Sequence, residues 1–365
     1  MNFHSPVVTE LPDQVQIGNS IVGKGRSCYV IAEVGSNHDR DLPTAIALID
    51  AAADAGCDAV KFQSFKGDDI ASSFQSELTR LPDEFVKWGS NLRELYENCA
   101  LPDHFYEPLD EYARERGIDF FSSPFSEAAV DRLAGLNVPA LKIASFELVH
   151  LPLIRHAAST GIPLIMSTGM AGLGDIERAL DAAVSGGASQ VTLLHCGSSY
   201  PLGPGGANLA AMDTLKSAFG VPVGYSDHTL GIGVPVAVAA LGGDLLEKHI
   251  TLSRDGDGPD HGFAIESAEL RDMVSQMRVA EMAVGGTQKR RQAEEEEHVK
   301  RGRRSLFSAS SIKAGEPLSP DSVKVVRPGV GIAPMFLELL LGKIVTRDIP
   351  PDHPLTWEDF IASKN

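Results

Sequence analysis

The sequence has few cysteines, no long apolar run and no excess of basic residues. Its four cysteines, Cys28, Cys57, Cys99 and Cys196, are scattered and form no CxxC pair. We therefore expect no disulfide framework but reduced thiols, as in a cytoplasmic protein. No apolar run reaches the roughly 18 residues of a membrane-spanning helix. The first residues, MNFHSPVVTELPDQ, lack a basic segment followed by an apolar one, so no signal peptide is expected.

Acidic residues outnumber basic ones. The chain has 32 Lys and Arg against 49 Asp and Glu, which gives a net charge of −17. A field of this sign repels nucleic acid and anionic membranes, so neither is an expected partner. An anionic small molecule can still bind where basic side chains cluster. With 365 residues and 43% hydrophobic content, the chain can bury the core of one large domain and one small one.

Short apolar segments alternate with amphipathic, helix-like segments from about residue 28 onward. The apolar segments span residues 29–35, 59–65, 119–125, 140–145, 163–169, 190–196, 221–228 and 245–251. Strands that alternate with helices pair in parallel through right-handed crossovers. Eight such units in about 250 residues predict an α/β fold, the (β/α)8 TIM barrel. The alternative, a doubly wound open sheet, usually has fewer strands and a GxGxxG turn after the first, which this chain lacks.

The remaining segments divide the chain into four parts. Residues 1–27 form an N-terminal extension, and residues 28–285 hold the barrel, with a long insertion at 66–118 that predicts extra helices over its mouth. Residues 286–304 are rich in charge and poor in apolar side chains, which indicates a linker. Residues 305–365 alternate short apolar segments with Gly and Pro turns, which predicts a small β-rich domain.

The C-terminal ends of the strands form the active site of a TIM barrel. Two lysines and several hydroxyl groups at these ends suit a compact dianion such as a phosphate ester. His228 and His249 end successive strands and are candidates to share one divalent ion, which would polarise a carbonyl group. The residues alone leave open whether these histidines are ligands or structural side chains. Because consecutive strand residues face opposite sides, Cys196 after His195 is expected in the barrel wall.

Eight motifs, in order along the chain, resemble those of the sialic acid synthase family. They are IAEVGSNHD (31–39), VKFQSF (60–65), LKIASFE (141–147), LIMSTGM (164–170), LLHCGSSYP (193–201), GYSDHTLG (224–231), EKHITL (247–252) and GPDHGFAI (258–265). VRPGVG (326–331) is similar to the antifreeze-like (SAF) domain that follows the barrel in that family. The family includes N-acetylneuraminate, pseudaminic acid and legionaminic acid synthases and spore-coat polysaccharide synthase-like members. The resemblance covers about residues 17–361.

The resemblance implies a cytoplasmic transferase that uses Mn²⁺ or Mg²⁺. Such enzymes condense phosphoenolpyruvate with an open-chain N-acylated amino sugar and water, giving a nine-carbon 2-keto sugar acid and phosphate. By motif, His228 and His249 would be the metal ligands and Glu33 would transfer a proton or place the water. The residues implied for phosphoenolpyruvate are Lys61, Ser123, Lys142, Ser145, Ser167, Ser198 and Ser226. Those implied for the sugar are Gln63, Glu147, Tyr200, Asp260 and Arg327, the last reaching the partner's barrel in a domain-swapped homodimer.

Several positions depart from the pattern of N-acetylneuraminate synthases. Ser198 stands where they have Asn, Ser123 where many members have Thr, and Ala144 and Phe146 replace the glycines of their KIGSGE motif. Phe146 makes this motif more similar to that of pseudaminic acid synthases. Its ring would pack either against the methyl group of a 6-deoxy acceptor or under its own loop.

Two other functions stay as alternatives. A 3-deoxy-sugar-acid phosphate synthase would need a second basic cluster for the phosphate of its sugar. A non-catalytic carbohydrate-binding paralogue would be expected to have a broken site, whereas both histidines, both lysines and Glu33 are present here.

Overall fold

The computed structural model describes residues 11–360, apart from the side chains at positions 78, 84 and 300. Residues 1–10 of the predicted extension and residues 361–365 of the predicted C-terminal domain lie outside the described residues. The chain divides into two compact units, the first ending at Gly285 and the second beginning at Gly286. This boundary coincides with the predicted end of the barrel.

An antiparallel hairpin, which the sequence patterns did not predict, precedes the barrel. Its strands are β1 (Gln14–Ile17) and β2 (Ser20–Gly23). Val15, Ile17 and Val22 are buried in the same apolar core as the barrel. Gly18 at the turn has a φ of +53°, and a Cβ there would collide with the carboxylate of Asp119, the first residue of a barrel strand. The predicted extension therefore contains a hairpin that packs at the N-terminal end of the barrel.

Eight parallel strands form a closed barrel. They are β3 (Tyr29–Glu33), β4 (Ala59–Ser64), β5 (Asp119–Pro124), β6 (Leu141–Ile143), β7 (Leu164–Ser167), β8 (Val191–Cys196), β9 (Val223–Asp227) and β10 (Leu245–Thr251). Each strand pairs with the next, and β10 closes the ring on β3, from Leu245 opposite Tyr29 to His249 opposite Glu33. A two-residue strand, β11 (Ile265–Glu266), pairs beside β10. The predicted TIM barrel is confirmed, and the open doubly wound sheet is excluded.

Helices alternate with the strands as the amphipathic segments predict. The helices of the first unit are α1 (Leu42–Ala55), α2 (Gly67–Ile70), α3 (Leu92–Cys99), α4 (Tyr106–Arg116), α5 (Glu127–Gly135), α6 (Leu151–Ser159), α7 (Leu173–Gly186), α8 (Ala211–Phe219), α9 (Gly233–Ala240) and α10 (Ser267–Val284). Helix α1 begins where the Asp41 side chain accepts a hydrogen bond from Thr44 N, and it ends at Gly56 in the left-handed region. Between residues 11 and 360, no helix combines the length and apolar character that crossing a membrane requires.

The insertion after β4 contains α2 and α3 and reaches the loop that follows β10. Lys87 Nζ lies 2.5 Å from Asp257 Oδ1, and Trp88 Nε1 donates to the Asp257 carbonyl oxygen at 3.2 Å. Because that loop follows the C-terminal end of a barrel strand, the insertion lies at the mouth of the barrel, where the sequence predicts extra helices.

The second unit contains α11 (Glu296–Gly302), β12 (Ser305–Ser308), β13 (Val323–Val326) and α12 (Leu337–Leu340). Helix α11 falls inside the segment predicted to be a linker, where Arg301 and Glu297 form an ion pair one turn apart. Strands β12 and β13 pair in antiparallel fashion, and three isolated bridges add to them. A small core that includes Leu306, Ile312 and Leu355 holds the unit together. Its β structure, in the part described, is thus less regular than the sequence predicts.

Candidate active site

The C-terminal ends of the barrel strands enclose a cavity of about 60 Å³. A larger cavity, of about 640 Å³, lies at the opposite end of the barrel. We assign the site to the smaller one, because barrel enzymes carry out their chemistry at the C-terminal ends of the strands. The predicted residues that line it are Glu33, Lys61, Gln63, Ser123, Lys142, Ser145, Ser167, Tyr200, Ser226, His228 and His249. Phe146, the candidate contact for a 6-deoxy acceptor, also lines it, and the lining residues without a predicted role are Phe125, Ala144, Cys196 and Glu247.

Two lysines and two glutamates form a buried charge cluster inside the mouth. Lys61 Nζ lies 2.7 Å from Glu33 Oε2 and 3.8 Å from Glu247 Oε1. Lys142 Nζ lies 3.9 Å from the other oxygen of Glu247. All four side chains are at least 93% buried. Charges taken out of water in this way are stable only when they compensate one another, as these two ammonium and two carboxylate groups do.

The two glutamates of the cluster have pKa values displaced in opposite directions. Burial raises the pKa of Glu33 to about 7, because the nearby Lys61 charge only partly offsets the loss of water. Burial acts to raise the pKa of Glu247, but the charges of Lys142, Lys61 and the two histidines together hold it below its ordinary value. Two carboxyl groups whose pKa values differ in this way can divide the roles, one carrying a proton and the other staying ionised.

Serine hydroxyls accompany each lysine. Lys61 Nζ donates to Ser123 Oγ at 3.0 Å, and Lys142 Nζ donates to Ser167 Oγ at 2.6 Å. Burial lowers the pKa of Lys142, and the Lys61 charge adds to this effect. Ammonium and hydroxyl groups pointing into one cavity can bind the oxygens of a phosphate or carboxylate.

A glycine allows two further serines to approach the same loop. Gly169 N donates to Ser145 Oγ at 3.1 Å. A Cβ on Gly169 would collide with Ser198 Oγ and crowd Ser145 Oγ. Ser198 therefore reaches the loop after β7, although it does not line the cavity itself.

His228 and His249 lie side by side in the mouth, with ring centroids 5.6 Å apart. His228 Nδ1 bonds to the Gly197 carbonyl oxygen at 2.9 Å. Because a carbonyl only accepts, Nδ1 carries the proton and Nε2 is free to bind a metal. His249 Nδ1 is buried and has no hydrogen-bond partner among the described residues. The Tyr200 ring packs 4.2 Å from the ring of His228.

This pair fits a divalent cation with open coordination positions. An imidazole with an unused nitrogen next to a second imidazole is a suitable ligand set for Zn²⁺ and Fe²⁺, whereas Mn²⁺ or Mg²⁺ would take most of its ligands from oxygen atoms. Within residues 11–360, no group of three or more His, Cys, Asp or Glu side chains is arranged to hold a metal. The protein would therefore supply two ligands, and water or substrate oxygens would supply the others.

Glu147 and Asp260 lie beside the cavity rather than in its lining. Burial raises the pKa of Glu147 to about 7, and its Oε2 is buried with no hydrogen-bond partner in the described part of the chain. Asp260 Oδ2 accepts from the backbone N and the Oγ of Ser36, each at 3.0 Å. Burial raises the pKa of Tyr96 on α3, and the charges of Glu147 and Asp260 raise it further. Tyr96, which the motifs did not indicate, packs its ring against that of Phe65, directly after β4, with ring centroids 5.7 Å apart.

The structure corrects the prediction for strand β8. His195 Nε2 bonds to the Ala207 carbonyl oxygen at 3.0 Å, outside the cavity, whereas Cys196 lines it. Cys196 Sγ lies 3.9 Å from His228 Nδ1, and Cys196 pairs with Ser226, which also lines the cavity. The alternation of faces was correctly expected, but the sequence did not show which of the two residues points inward.

Glu247 also lacked a predicted role, although a signal for it was present. It stands two residues before His249 on β10, and strand residues two apart share a face. Arg327 directly follows β13 in the second unit, and its contact with the sugar stays a prediction.

Comparisons with known proteins agree with this architecture. A profile of the NeuB family matches residues 48–289, and a profile of the SAF domain matches residues 303–361. The chain is 38% identical to the N,N'-diacetyllegionaminic acid synthase of Campylobacter jejuni, over 90% of this chain and 98% of that protein. It is 34% identical to the pseudaminic acid synthase of Helicobacter pylori, over 92% and 98% of the two chains.

A solved structure is similar over nearly the whole length. The crystal structure of the spore coat polysaccharide biosynthesis protein SpsE from Bacillus subtilis covers 96% of this chain and 100% of its own, with 35% identity and a TM-score of 0.65. Fold, domain order and sequence similarity thus agree, and the chain belongs to the NeuB family, with a C-terminal SAF domain.

Proposed function

We propose that this protein is a nonulosonic acid synthase. It condenses phosphoenolpyruvate with an open-chain N-acylated amino sugar and water, giving a nine-carbon 2-keto sugar acid and phosphate for cell-surface polysaccharide. The observation that carries the proposal is the meeting of Lys61 and Lys142 with a histidine pair in one mouth. Relatives that act as pseudaminic and legionaminic acid synthases support the same general reaction.

Phosphoenolpyruvate binds between the two lysines. Its phosphate takes the Lys61–Ser123 and Lys142–Ser167 donor pairs. Its carboxylate contacts the hydroxyl groups of Ser145 and Ser226, which line the cavity, and Ser198 would join them from its position close to Gly169, just outside the lining. When the phosphate engages Lys61, Glu33 loses its ion-pair partner, which favours the protonated form of that carboxyl.

His228 and His249 would hold Mn²⁺ or Mg²⁺, which would polarise the carbonyl of the sugar when bound. C3 of phosphoenolpyruvate then forms a bond to the aldehyde carbon, water adds at C2, and the C2–O bond to phosphate breaks. The aldehyde oxygen gains a proton, and the water loses one as it adds at C2; its other proton passes to the departing phosphate when the C2 hydroxyl becomes the ketone. Glu33, with a pKa near 7, can give the first proton and accept the second.

The acceptor sugar lies on the outer side of the mouth. Gln63 Nε2 donates to Glu33 Oε1 at 2.7 Å, so Gln63 can position both the sugar and the catalytic carboxyl. Glu147, Tyr200 and Asp260 complete the sugar contacts. Phe146 lines the cavity yet is 60% exposed, and it would cover the methyl group of a 6-deoxy acceptor. We therefore favour a pseudaminic acid-type acceptor, with N-acetylmannosamine as the alternative.

A domain-swapped homodimer and a cytoplasmic location are part of the proposal. Apolar side chains are exposed after several strand ends at the mouth, among them Phe146, Met170 and Leu230, and a partner subunit can cover them. The partner's SAF domain would bring its Arg327 to the sugar. All four cysteines are unpaired and buried, which fits a reducing compartment.

The test is phosphate release from phosphoenolpyruvate with Mn²⁺ and a panel of acceptors. The panel contains N-acetylmannosamine, 2,4-diacetamido-6-deoxy sugars and arabinose 5-phosphate. Turnover with one N-acyl sugar that EDTA abolishes would support the proposal and identify the acceptor class. His228→Ala should abolish it too, while His195→Gln, outside the cavity, should retain it.

Other outcomes would redirect the assignment. Turnover only with arabinose 5-phosphate would make the protein a 3-deoxy-sugar-acid phosphate synthase. Sugar binding without phosphate release, in folded protein supplied with metal, would favour a non-catalytic carbohydrate-binding role.

A further inference from the structure

A buried ion pair lies behind the two histidines, on the outer side of the barrel wall. Asp227 Oδ2 is 2.6 Å from Lys248 Nζ, and both side chains are almost completely buried. The two residues stand opposite each other on β9 and β10. Asp227 directly precedes His228, and Lys248 directly precedes His249. Because successive side chains alternate in direction, the histidines point into the mouth and the ion pair points away from it.

Lys248 holds the chain on both sides of His228. Its Nζ donates to Asp227 Oδ2 and to the Thr229 carbonyl oxygen, each at 2.6 Å. Thr229 in turn donates to Asp227 Oδ1 from its backbone N at 3.0 Å and from its Oγ1 at 2.8 Å. These bonds fasten the residues that flank His228 to the residue that precedes His249.

These hydrogen bonds, which link the two strands, matter because only one of the two histidine rings has a hydrogen bond of its own among the described residues. His228 has a hydrogen bond to Gly197, whereas His249 Nδ1 has no partner within residues 11–360. The place of the His249 ring is therefore set by its backbone and by packing, including the Phe263 ring 4.9 Å away. Metal–imidazole bonds have a nearly fixed length, about 2.0–2.1 Å for zinc, so a small change in the distance between the two backbones would disrupt a shared site.

Stability alone does not account for the pair. Taking two charges out of water offsets much of their attraction, and apolar side chains of similar volume often replace such pairs without loss of stability. We propose that Asp227, Lys248 and Thr229 are positioning residues that set the separation of His228 and His249 for a divalent cation. This inference rests on the metal of the proposed function.

The test compares two double variants of the full chain. Asp227→Asn with Lys248→Met removes the charges and keeps the approximate volumes. The control is Asp244→Asn with Lys216→Met, an ion pair at the opposite end of the barrel, where Asp244 directly precedes β10 and Lys216 lies on α8. There, Asp244 Oδ2 lies 3.0 Å from Lys216 Nζ and accepts from Val223 N at 2.9 Å. Mn²⁺ affinity is measured by electron paramagnetic resonance, phosphoenolpyruvate affinity by calorimetry without metal, and folding by circular dichroism.

Mn²⁺ affinity of the first variant should fall by about tenfold or more, as for other groups that orient metal ligands. Its phosphoenolpyruvate affinity should stay within about threefold of the unaltered protein, and the control should retain both affinities. Thr229→Val removes only the hydrogen bond from Thr229 Oγ1 to Asp227 Oδ1. This variant should fold normally and lose an intermediate amount of Mn²⁺ affinity, so it provides the test if the double variant does not fold.

Two results would overturn the inference and are distinguishable. Equal Mn²⁺ affinity in the unaltered protein, the folded double variant and Thr229→Val would exclude the positioning role and leave the proposed metal standing. Failure of the unaltered protein to bind Mn²⁺, with phosphoenolpyruvate still bound, would overturn the metal and the positioning role together.

Discussion

Lys61 Nζ and Glu33 Oε2 lie 2.7 Å apart at the barrel mouth, on neighbouring strands whose pairing sets the two residues opposite each other. Both side chains are almost fully buried. A carboxyl that is paired with lysine yet keeps a pKa near 7 can change its protonation state when a phosphate competes for the lysine.

Glu33→Gln should lower kcat by about 100-fold or more, because the amide cannot carry a proton. Affinity for phosphoenolpyruvate should stay equal or increase, since Lys61 loses the nearer of its two carboxylate partners and keeps only Glu247 at 3.8 Å. Steady-state kinetics and calorimetry separate the two effects, with Glu115→Gln on the exposed side of α4 as the control. A kcat within threefold of the unaltered enzyme would remove Glu33 from the proton transfer.

Lys142→Met should weaken phosphoenolpyruvate binding by about 10- to 100-fold, the contribution of a charge-assisted hydrogen bond. Ser167→Ala, which removes the hydroxyl that accepts from Lys142 at 2.6 Å, should have a smaller effect. Calorimetric titration with phosphoenolpyruvate measures both. Unchanged binding to Lys142→Met would place the phosphate elsewhere.

Phe146→Gly tests the acceptor preference. The ring lines the cavity from an exposed position, so its loss should reduce kcat/KM for a 6-deoxy acceptor by about tenfold relative to N-acetylmannosamine, through lost apolar contact. Val149→Ala, at another exposed apolar position in the loop after β6, is the matched control. If the ratio of the two kcat/KM values does not change, Phe146 has no role in specificity.

Because of Glu147, the free energy of unfolding should fall as the pH rises from about 4.5 to about 7. Burial raises the pKa of Glu147 to about 7 in the folded state, so the folded protein binds more protons than the unfolded chain in this interval. Stability then falls with pH, and Glu147→Gln should remove part of this fall. Urea unfolding between about pH 5 and pH 8 measures it. Parallel curves for the variant and the unaltered protein would contradict the raised pKa.

Gly224→Ala should destabilise the barrel by about 2 kcal/mol or more. A Cβ at Gly224 would collide with backbone atoms of Leu245 on the next strand, which cannot rotate away. Gly233→Ala, at the start of α9, meets open space and should stay within about 0.5 kcal/mol of the unaltered protein. Thermal and urea unfolding compare the two variants. Similar stabilities would show that β9 adjusts to the added methyl group.

The sequence predicted most of the fold and much of the site. Short apolar strands and amphipathic helices are local patterns, so the sequence predicts all eight barrel strands. The hairpin at residues 14–23 was missed because its segments are only four residues long. The sequence does not predict helix α11 in the linker because charged residues occupy all of its faces. A segment without an apolar face is recognisably exposed, but its pattern does not indicate a helix.

The sequence by itself determined which chemistry the strand ends offer: two lysines, several hydroxyls, a glutamate and two histidines. Only the tertiary structure decided which groups meet. It turned Cys196 inward and His195 outward, brought Glu247 between Lys61 and Lys142, and set Lys248 behind the histidines. The reason is that inward direction, strand register and loss of water are properties of the closed barrel. Each depends on strands far apart in the chain, and no local pattern of residues records them.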